Sequence, residues 1–154
     1  MQSLTQQINE LERYIPQASQ TAPQVSQATV GWQIAHTLKV ITTIVEGLAQ
    51  SAPQDYQPKM SVIKTAIMTT GFMPRGKARA PKIVLPTEEE LQTQDLEKQL
   101  AKAHEALERL QTLPPTVHFN HPMFGSLQKK AAAKFLSIHT EHHLKIIRDM
   151  LQIS

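Results

Sequence analysis

The chain has 154 residues, of which 40% are hydrophobic and 19% are charged, with a formal net charge of +3 at pH 7. This length predicts a single domain over residues 1–154 that is large enough to bury a core, and the composition excludes a disordered chain. The absence of cysteine excludes disulfides, thiolate metal ligands and a cysteine nucleophile.

The first half of the chain predicts two helices. Apolar residues recur at helical spacing over residues 3–14, where Pro16 ends the first helix, and again over residues 30–50. The positions that face the core are Leu4, Ile8, Leu11 and Ile15 in the first helix and Ile34, Leu38, Ile41, Val45 and Leu48 in the second. No apolar run approaches the roughly 20 residues of a membrane span, and residues 1–7 show no signal peptide. We therefore expect a cytoplasmic protein that has no membrane partner.

The middle of the chain is rich in proline. Residues 60–70 are apolar enough for a short helix or a buried strand, and we favour the helix. Residues 71–86 contain Pro74, Pro81 and Pro86, which predicts a long irregular crossover.

The second half of the chain predicts two further helices. Thr87 and Glu90 form a capping box, which predicts that the third helix begins at residue 87, and Pro114 ends it. A turn that contains His118 and His121 leads to the last helix, over residues 126–153. Long helices, no convincing strand and one long crossover between the second and third helices predict an all-α four-helix bundle.

Two histidines of the last helix fall on its core-facing side. At about 100° per residue, His139 and His143 share a stripe with Phe135 and Ile146 and lie one turn apart. A buried imidazole needs partners for its ring nitrogens, and two imidazoles at this spacing can bind one metal ion. The stretch is not a zincin motif, because Thr140 occupies the place of the catalytic glutamate.

A third ligand must come from another helix, and His36 on the second helix is the natural candidate. The helical wheel places it at the boundary between the apolar and polar faces. Three neutral imidazoles with an open fourth position suit zinc or nickel, and the open position accommodates water or a substrate group. The alternative is a non-catalytic bundle that keeps its histidines as polar core residues and binds a small ligand or a protein partner. The residues expected around the site are Trp32, Arg75, Lys77, His121, Phe124 and His142.

Residues 56–87 contain six basic residues and no acidic one. The simplest interpretation is a solvated loop whose charge neutralises the acidic start of the third helix. A second interpretation is the edge of a pocket, where Arg75 and Lys77 attract an anionic small molecule. Nucleic-acid binding is the least favoured interpretation, because no recognised nucleic-acid motif accompanies the basic residues.

Four short motifs carry a family resemblance: Gly31-Trp32, residues 74–77 with Ala80-Pro81, residues 121–125, and residues 138–144. From about residue 30 onward, the chain resembles the DinB/YfiT-like superfamily of metal-dependent enzymes, and within it a branch of small uncharacterised proteins. The resemblance implies an up-down-down-up four-helix bundle, a homodimer, and a metal bound by three histidines. Two of these form an H-x-x-x-H pair on the last helix, which falls here on His139 and His143. The resemblance also implies a transferase or isomerase that uses a low-molecular-weight thiol.

Two positions depart from the family pattern. The superfamily ligand on the second helix commonly lies two turns after the tryptophan, which is Val40 here, whereas His36 lies one turn after Trp32. One helical turn is about 5.4 Å, so either the second helix starts differently in this branch or the metal site is altered or lost. Many relatives also have Gln one turn after the last histidine, where this chain has Ile146. The reaction class therefore stays open between a thiol-dependent transferase and a hydrolase.

Overall fold

The structure is a computed structural model that describes residues 2–153, with side chains described as far as Gln152. The terminal residues of the predicted domain, Met1 and Ser154, lie outside the described residues. The protein is mostly helical, with five α-helices and one two-stranded antiparallel sheet in the part described. The elements are α1 (Leu4–Tyr14), α2 (Val30–Ala49), α3 (Val62–Thr70), α4 (Thr93–Thr112), β1 (His118–His121), β2 (Gly125–Gln128) and α5 (Lys129–Ile153).

Side-chain caps fix where three of the helices begin. The Ser3 hydroxyl accepts from the backbone N–H of Gln6 at the start of α1, and the Thr29 hydroxyl accepts from that of Trp32 at the start of α2. Ser61 caps α3 in the same way, which confirms the short helix expected in residues 60–70. At the other end of α3, Gly71 has a φ of 68°, a left-handed conformation that glycine adopts without strain.

The core lies between α1, α2, α4 and α5, whose apolar faces pack against one another. Eight of the nine core positions predicted on the first two helices are buried, and the ninth, Leu4, packs at the edge of the core. By contrast, α3 buries only Ile67 and lies at the periphery. Within the described residues, none of the helices combines the length and the apolar character needed to cross a membrane.

Contacts along α5 show how two other helices run relative to it. From α1, Gln7 donates to the Ser137 carbonyl at 3.0 Å and Glu10 accepts from Arg148 at 2.7 Å, so these helices run in the same direction. The C-terminal end of α2 and the N-terminal end of α5 both adjoin residues 117–118, because the His118 N–H donates to the hydroxyl of Ser51 and the N–H of Lys129 to the Val117 carbonyl. Helices α2 and α5 are therefore antiparallel.

A β-hairpin stands where the sequence predicted a turn and the first residues of the last helix. Strands β1 and β2 pair in a register that runs from His118 opposite Gln128 to His121 opposite Gly125. The expectation of no strands was therefore wrong, and the all-α bundle is matched only in part, by a mostly helical protein with one small sheet. Helix α5 begins at Lys129 rather than at residue 126. Contacts remote in sequence hold β2 in place, since the Ser126 hydroxyl accepts from the backbone N–H of Gln57 at 2.7 Å.

The predicted start of the third helix was also wrong. The capping box of Thr87 and Glu90 forms, with its two hydrogen bonds at 2.7 and 3.3 Å, but it precedes only a 3-10 turn over Glu89–Leu91. Gln92 is extended, and α4 begins at Thr93. The Glu90 carboxylate binds Lys39 of α2 at 2.9 Å, so a tertiary contact engages one of the two residues of the capping box.

Candidate metal centre

Three histidines from two helices meet in the core. His36 of α2 is 4% exposed, and His139 and His143 of α5 are each 7% exposed. Each imidazole has one ring nitrogen that could bind a metal ion, and these three nitrogens all lie within 4.8 Å of one another. They are close enough to share one ion. The structure thus brings together the three residues that the sequence offered as ligands, which we call the histidine cluster. Val40, the position at which the superfamily pattern expects a ligand, is buried and offers no donor atom.

The spacing within α5 matches a shared ion. The Nε2 atoms of His139 and His143 are 3.2 Å apart. Two nitrogens bound tetrahedrally to zinc at 2.0–2.1 Å would be about 3.3 Å apart. The three ring nitrogens of the histidine cluster are at most 4.8 Å apart. Binding of an ion would therefore bring two nitrogens closer by up to about 1.5 Å.

A backbone carbonyl fixes the tautomer of His36. Its Nδ1 lies 2.9 Å from the carbonyl oxygen of Val84, in the segment that precedes α4. A carbonyl oxygen only accepts hydrogen bonds, so Nδ1 carries the hydrogen and Nε2 keeps its lone pair. Trp32 stacks on the same ring at a centroid distance of 4.9 Å and an angle of 14°, which limits how the ring can turn.

Gln33 fixes His143 in the same tautomer, with the hydrogen on Nδ1. Its side-chain oxygen lies 2.6 Å from Nδ1 of His143, and its amide nitrogen donates to the Ser26 hydroxyl at 3.1 Å. Nε2 of His143 is therefore the nitrogen with the free lone pair. Partners of this kind orient metal-bound histidines and raise their basicity. Gln33 was not predicted from the sequence, although a polar residue one turn before His36 on an apolar helix was a signal that could have identified it.

His139 is less completely paired. Its Nδ1 is buried and has no hydrogen-bond partner among the described residues. The Phe135 ring lies beside the imidazole, at a centroid distance of 5.7 Å. A buried nitrogen without a partner is costly, and an ion bound at Nε2 would leave this cost in place, because Nδ1 would then carry a hydrogen without an acceptor.

Burial makes the histidine cluster neutral. Loss of solvent is the main cause that lowers the pKa of His36 and brings the pKa values of His139 and His143 well below the ordinary value. The neighbouring imidazoles lower the pKa of His139 and His143 further, because each would repel a second positive charge. Near pH 7 the three rings are therefore uncharged, which is the form that binds metal ions.

Two further histidines and Phe124 lie near the histidine cluster, His142 in direct contact with it and the other two through the ring of Phe135. His142 sets its edge against the ring of His143 at a centroid distance of 5.0 Å, and its Nδ1 lies 3.0 Å from the Met73 carbonyl. His121 stacks on Phe124 at 4.3 Å, and its Nδ1 accepts from the backbone N–H of Phe124 and of the preceding residue. Burial lowers the pKa of His121 to about 4.

The two basic residues expected at the site have different positions. Arg75 borders a cavity beside His142 and forms an ion pair with Asp149 at 2.7 Å. Lys77 is exposed and does not line that cavity. Of the two predicted cations, Arg75 alone borders this cavity.

The fold and the site define a mostly helical protein with a three-histidine cluster that suits a metal ion. A family model described as a protein of unknown function, DUF1569, matches residues 1–150. The chain therefore belongs to the DUF1569 family. No curated protein and no solved structure matches the chain.

Proposed function

We propose that this protein is a metal-dependent enzyme of the DinB/YfiT-like type, in which His36, His139 and His143 hold a divalent ion, zinc or nickel. One observation carries the proposal: carbonyl oxygens hold Nδ1 of both His36 and His143, so that their Nε2 lone pairs are free. Neutral, oriented imidazoles without a thiolate or carboxylate are a donor set that zinc and nickel accept.

Three protein ligands leave a coordination position for a small molecule. A divalent ion held by the three imidazoles would lower the pKa of a water or thiol at that open position, and so would make it a nucleophile near pH 7. The chain itself orients the ligands through Gln33 and the Val84 carbonyl. Trp32 and Phe135 cover the imidazoles with aromatic surface, which excludes water. The resemblance favours transfer to or from a low-molecular-weight thiol, and hydrolysis is the competing reaction.

The directions of the four long helices are also part of what we propose. We infer an up-down-down-up bundle of α1, α2, α4 and α5, which is supported by the parallel pairing of α1 with α5 and the antiparallel pairing of α2 with α5. The homodimer, the cytoplasmic location and the absence of membrane and nucleic-acid partners, all expected from the sequence, stay part of the proposal.

The second candidate is a non-catalytic bundle in which the histidines are only polar core residues. The 3.2 Å separation favours it in one respect, since Nε2–H of His139 could donate to Nε2 of His143 without any ion. Nδ1 of His139 is buried without a partner in either candidate, as an acceptor here and as a donor when Nε2 binds an ion, so this atom does not separate them. The two candidates therefore differ in whether the protein takes up metal.

Elemental analysis of protein purified after metal-replete expression separates the two candidates. We expect the wild-type protein to contain close to one equivalent of zinc or nickel and His139→Ala to contain almost none. His104→Ala is the matched control, because His104 lies on α4 away from the histidine cluster. A metal-free wild-type protein, or equal metal content in both variants, would overturn the enzyme proposal.

A thermal melt provides a second readout of the same site. A ligand present at 100 times its dissociation constant adds about 2.7 kcal/mol to the free energy of unfolding, so chelation should lower the Tm of the wild-type protein. The Tm of His139→Ala should not respond to chelator. The second candidate predicts a Tm that is unchanged by chelator in both proteins.

A further inference from the structure

A cavity lies next to the histidine cluster, between residues 71–75 and α5. Its volume is about 370 Å³, which falls within the range for small-molecule sites. Besides residues 71–75, it is lined by His142 and Lys145. We call it the Lys145 cavity.

The charge of the Lys145 cavity is positive. Lys145 is exposed and forms no ion pair with the described residues, whereas Arg75 is already paired with Asp149. None of the lining residues is acidic. One ammonium group is thus left to attract a ligand, which favours a molecule with a single negative charge over a phosphate ester.

The rest of the lining is mostly apolar. Phe72 is 62% exposed, although it is an aromatic residue, and it stands beside Met73 and Pro74 in the wall. An exposed ring of this kind gains from contact with an apolar ligand surface. A ligand that matches both parts of the wall has a carboxylate at one end and an apolar body.

The Lys145 cavity and the histidine cluster share a wall. His142 lines the cavity and also contacts the His143 ring, with centroids 5.0 Å apart. The His142 Nδ1–H donates to the Met73 carbonyl, so Nε2 is available as an acceptor. A molecule in the cavity therefore lies one side chain away from the histidine cluster.

We propose that the Lys145 cavity binds a small organic carboxylate, with the carboxylate at Lys145 and the apolar body against Phe72 and Met73. The ligand's role as the substrate of the adjacent metal centre rests on the proposed function. Its binding does not, because no lining residue belongs to the histidine cluster.

The test uses phenylacetate as the probe, titrated into the full chain by isothermal calorimetry, once after chelator treatment and once with added zinc. We expect saturable binding in both states. Phenylacetamide, which has the same shape without the charge, should bind at least about tenfold more weakly, equivalent to about 1.4 kcal/mol. Equal affinity for the two probes, or no saturation up to about 10 mM, would overturn the proposal.

Three variants locate the binding site. Lys145→Gln should weaken phenylacetate binding at least about tenfold, and Lys145→Arg, which keeps the charge, should stay within about threefold of the wild type. Lys130→Gln is the control, because Lys130 is exposed on the same helix and does not line the cavity. Equal weakening in all three variants, or none in Lys145→Gln, would refute the assignment.

The outcomes separate this proposal from the metal proposal. Binding of phenylacetate that depends on Lys145 in a protein that takes up no metal would support the carboxylate site and refute the enzyme. Metal uptake without phenylacetate binding would support the metal centre and refute the carboxylate site.

Discussion

At the scale of single residues, the two carbonyl oxygens matter more to the candidate site than the histidines alone. A buried histidine is usually satisfied by local partners and need not bind anything. Here Val84 and Gln33 each fix the hydrogen of one imidazole on Nδ1, and Ser26 in turn holds the Gln33 amide. These contacts leave two lone pairs of fixed direction in the buried core.

Gln33→Leu removes the acceptor that orients His143 without changing a ligand. Loss of such an outer partner typically costs 10–100-fold in metal affinity, and we expect a loss of about that size in competition with a chelator. Gln7→Leu is the matched control, because Gln7 is equally buried but binds Ser137 instead. Gln33→Glu keeps an acceptor and should retain most of the affinity. Unchanged affinity in Gln33→Leu would show that the amide does not orient the ligand.

At the scale of secondary structure, the hairpin depends on a glycine in α2. A Cβ added at Gly47 would lie 2.5 Å and 2.9 Å from two atoms of the Phe119 ring, which packs on α2 from β1. The helix would favour alanine here by about 1 kcal/mol. Overpacking costs about 1–3 kcal/mol, so the cost of the clash with Phe119 should exceed the gain in helix propensity.

Gly47→Ala should therefore lower the free energy of unfolding by about 1 kcal/mol in chemical denaturation. Phe119→Leu in the same chain relieves the clash, so the substitution of Gly47 should become neutral or stabilising in that background. The interaction energy of the double-mutant cycle measures the contact directly. A stabilised Gly47→Ala single variant would show that the ring moves aside at no cost.

The same hairpin shows which part of the fold the sequence could not predict. Helical periodicity located α1, α2 and the inward pair His139 and His143, because the pattern is local and repeats over many turns. Strands β1 and β2 have only four residues each, and residues 57–59 hold β2 from across the chain. The start of α4 was misplaced for a related reason, since Glu90 binds Lys39 from 51 positions earlier.

The sequence likewise predicted only part of the candidate site. Spacing alone placed His139 and His143 on one face, but it left His36 at a boundary. Contacts with α5, with Trp32 and with the segment at Val84 bury it. Lys77 was expected beside Arg75 because it is near in sequence, yet the chain turns through Gly76, whose φ is 68°, and Lys77 lies outside the cavity. The sequence did not predict Lys145 as a residue of the cavity, because it lies on α5, 70 positions after Arg75.

At the scale of the whole molecule, a carboxylate–guanidinium clamp joins the first and last helices. Arg148 of α5 donates to Glu10 of α1 at 2.7 and 2.8 Å and to Glu141 at 2.8 Å. The hydrogen bonds from Arg148 are the largest cause that lowers the pKa of Glu10 to about 2 from its ordinary 4.5, against the opposing effect of burial. Because the folded-state pKa is depressed, the carboxylate stabilises the fold above about pH 4.5, and this contribution is lost as the pH falls towards 2.

Glu10→Gln should remove this pH-dependent contribution. The full pKa difference corresponds to about 3 kcal/mol, and the partial exposure of Arg148 reduces our expectation to about 2 kcal/mol at pH 7. Denaturation from pH 7 to pH 2 should show the wild type and variant converging below about pH 4.5. The buried histidines destabilise both proteins at acid pH, so they cancel in the difference. Glu12→Gln, an exposed position on the same helix, should follow the wild type. A constant difference at every pH would mean that Glu10 acts through packing rather than through its charge.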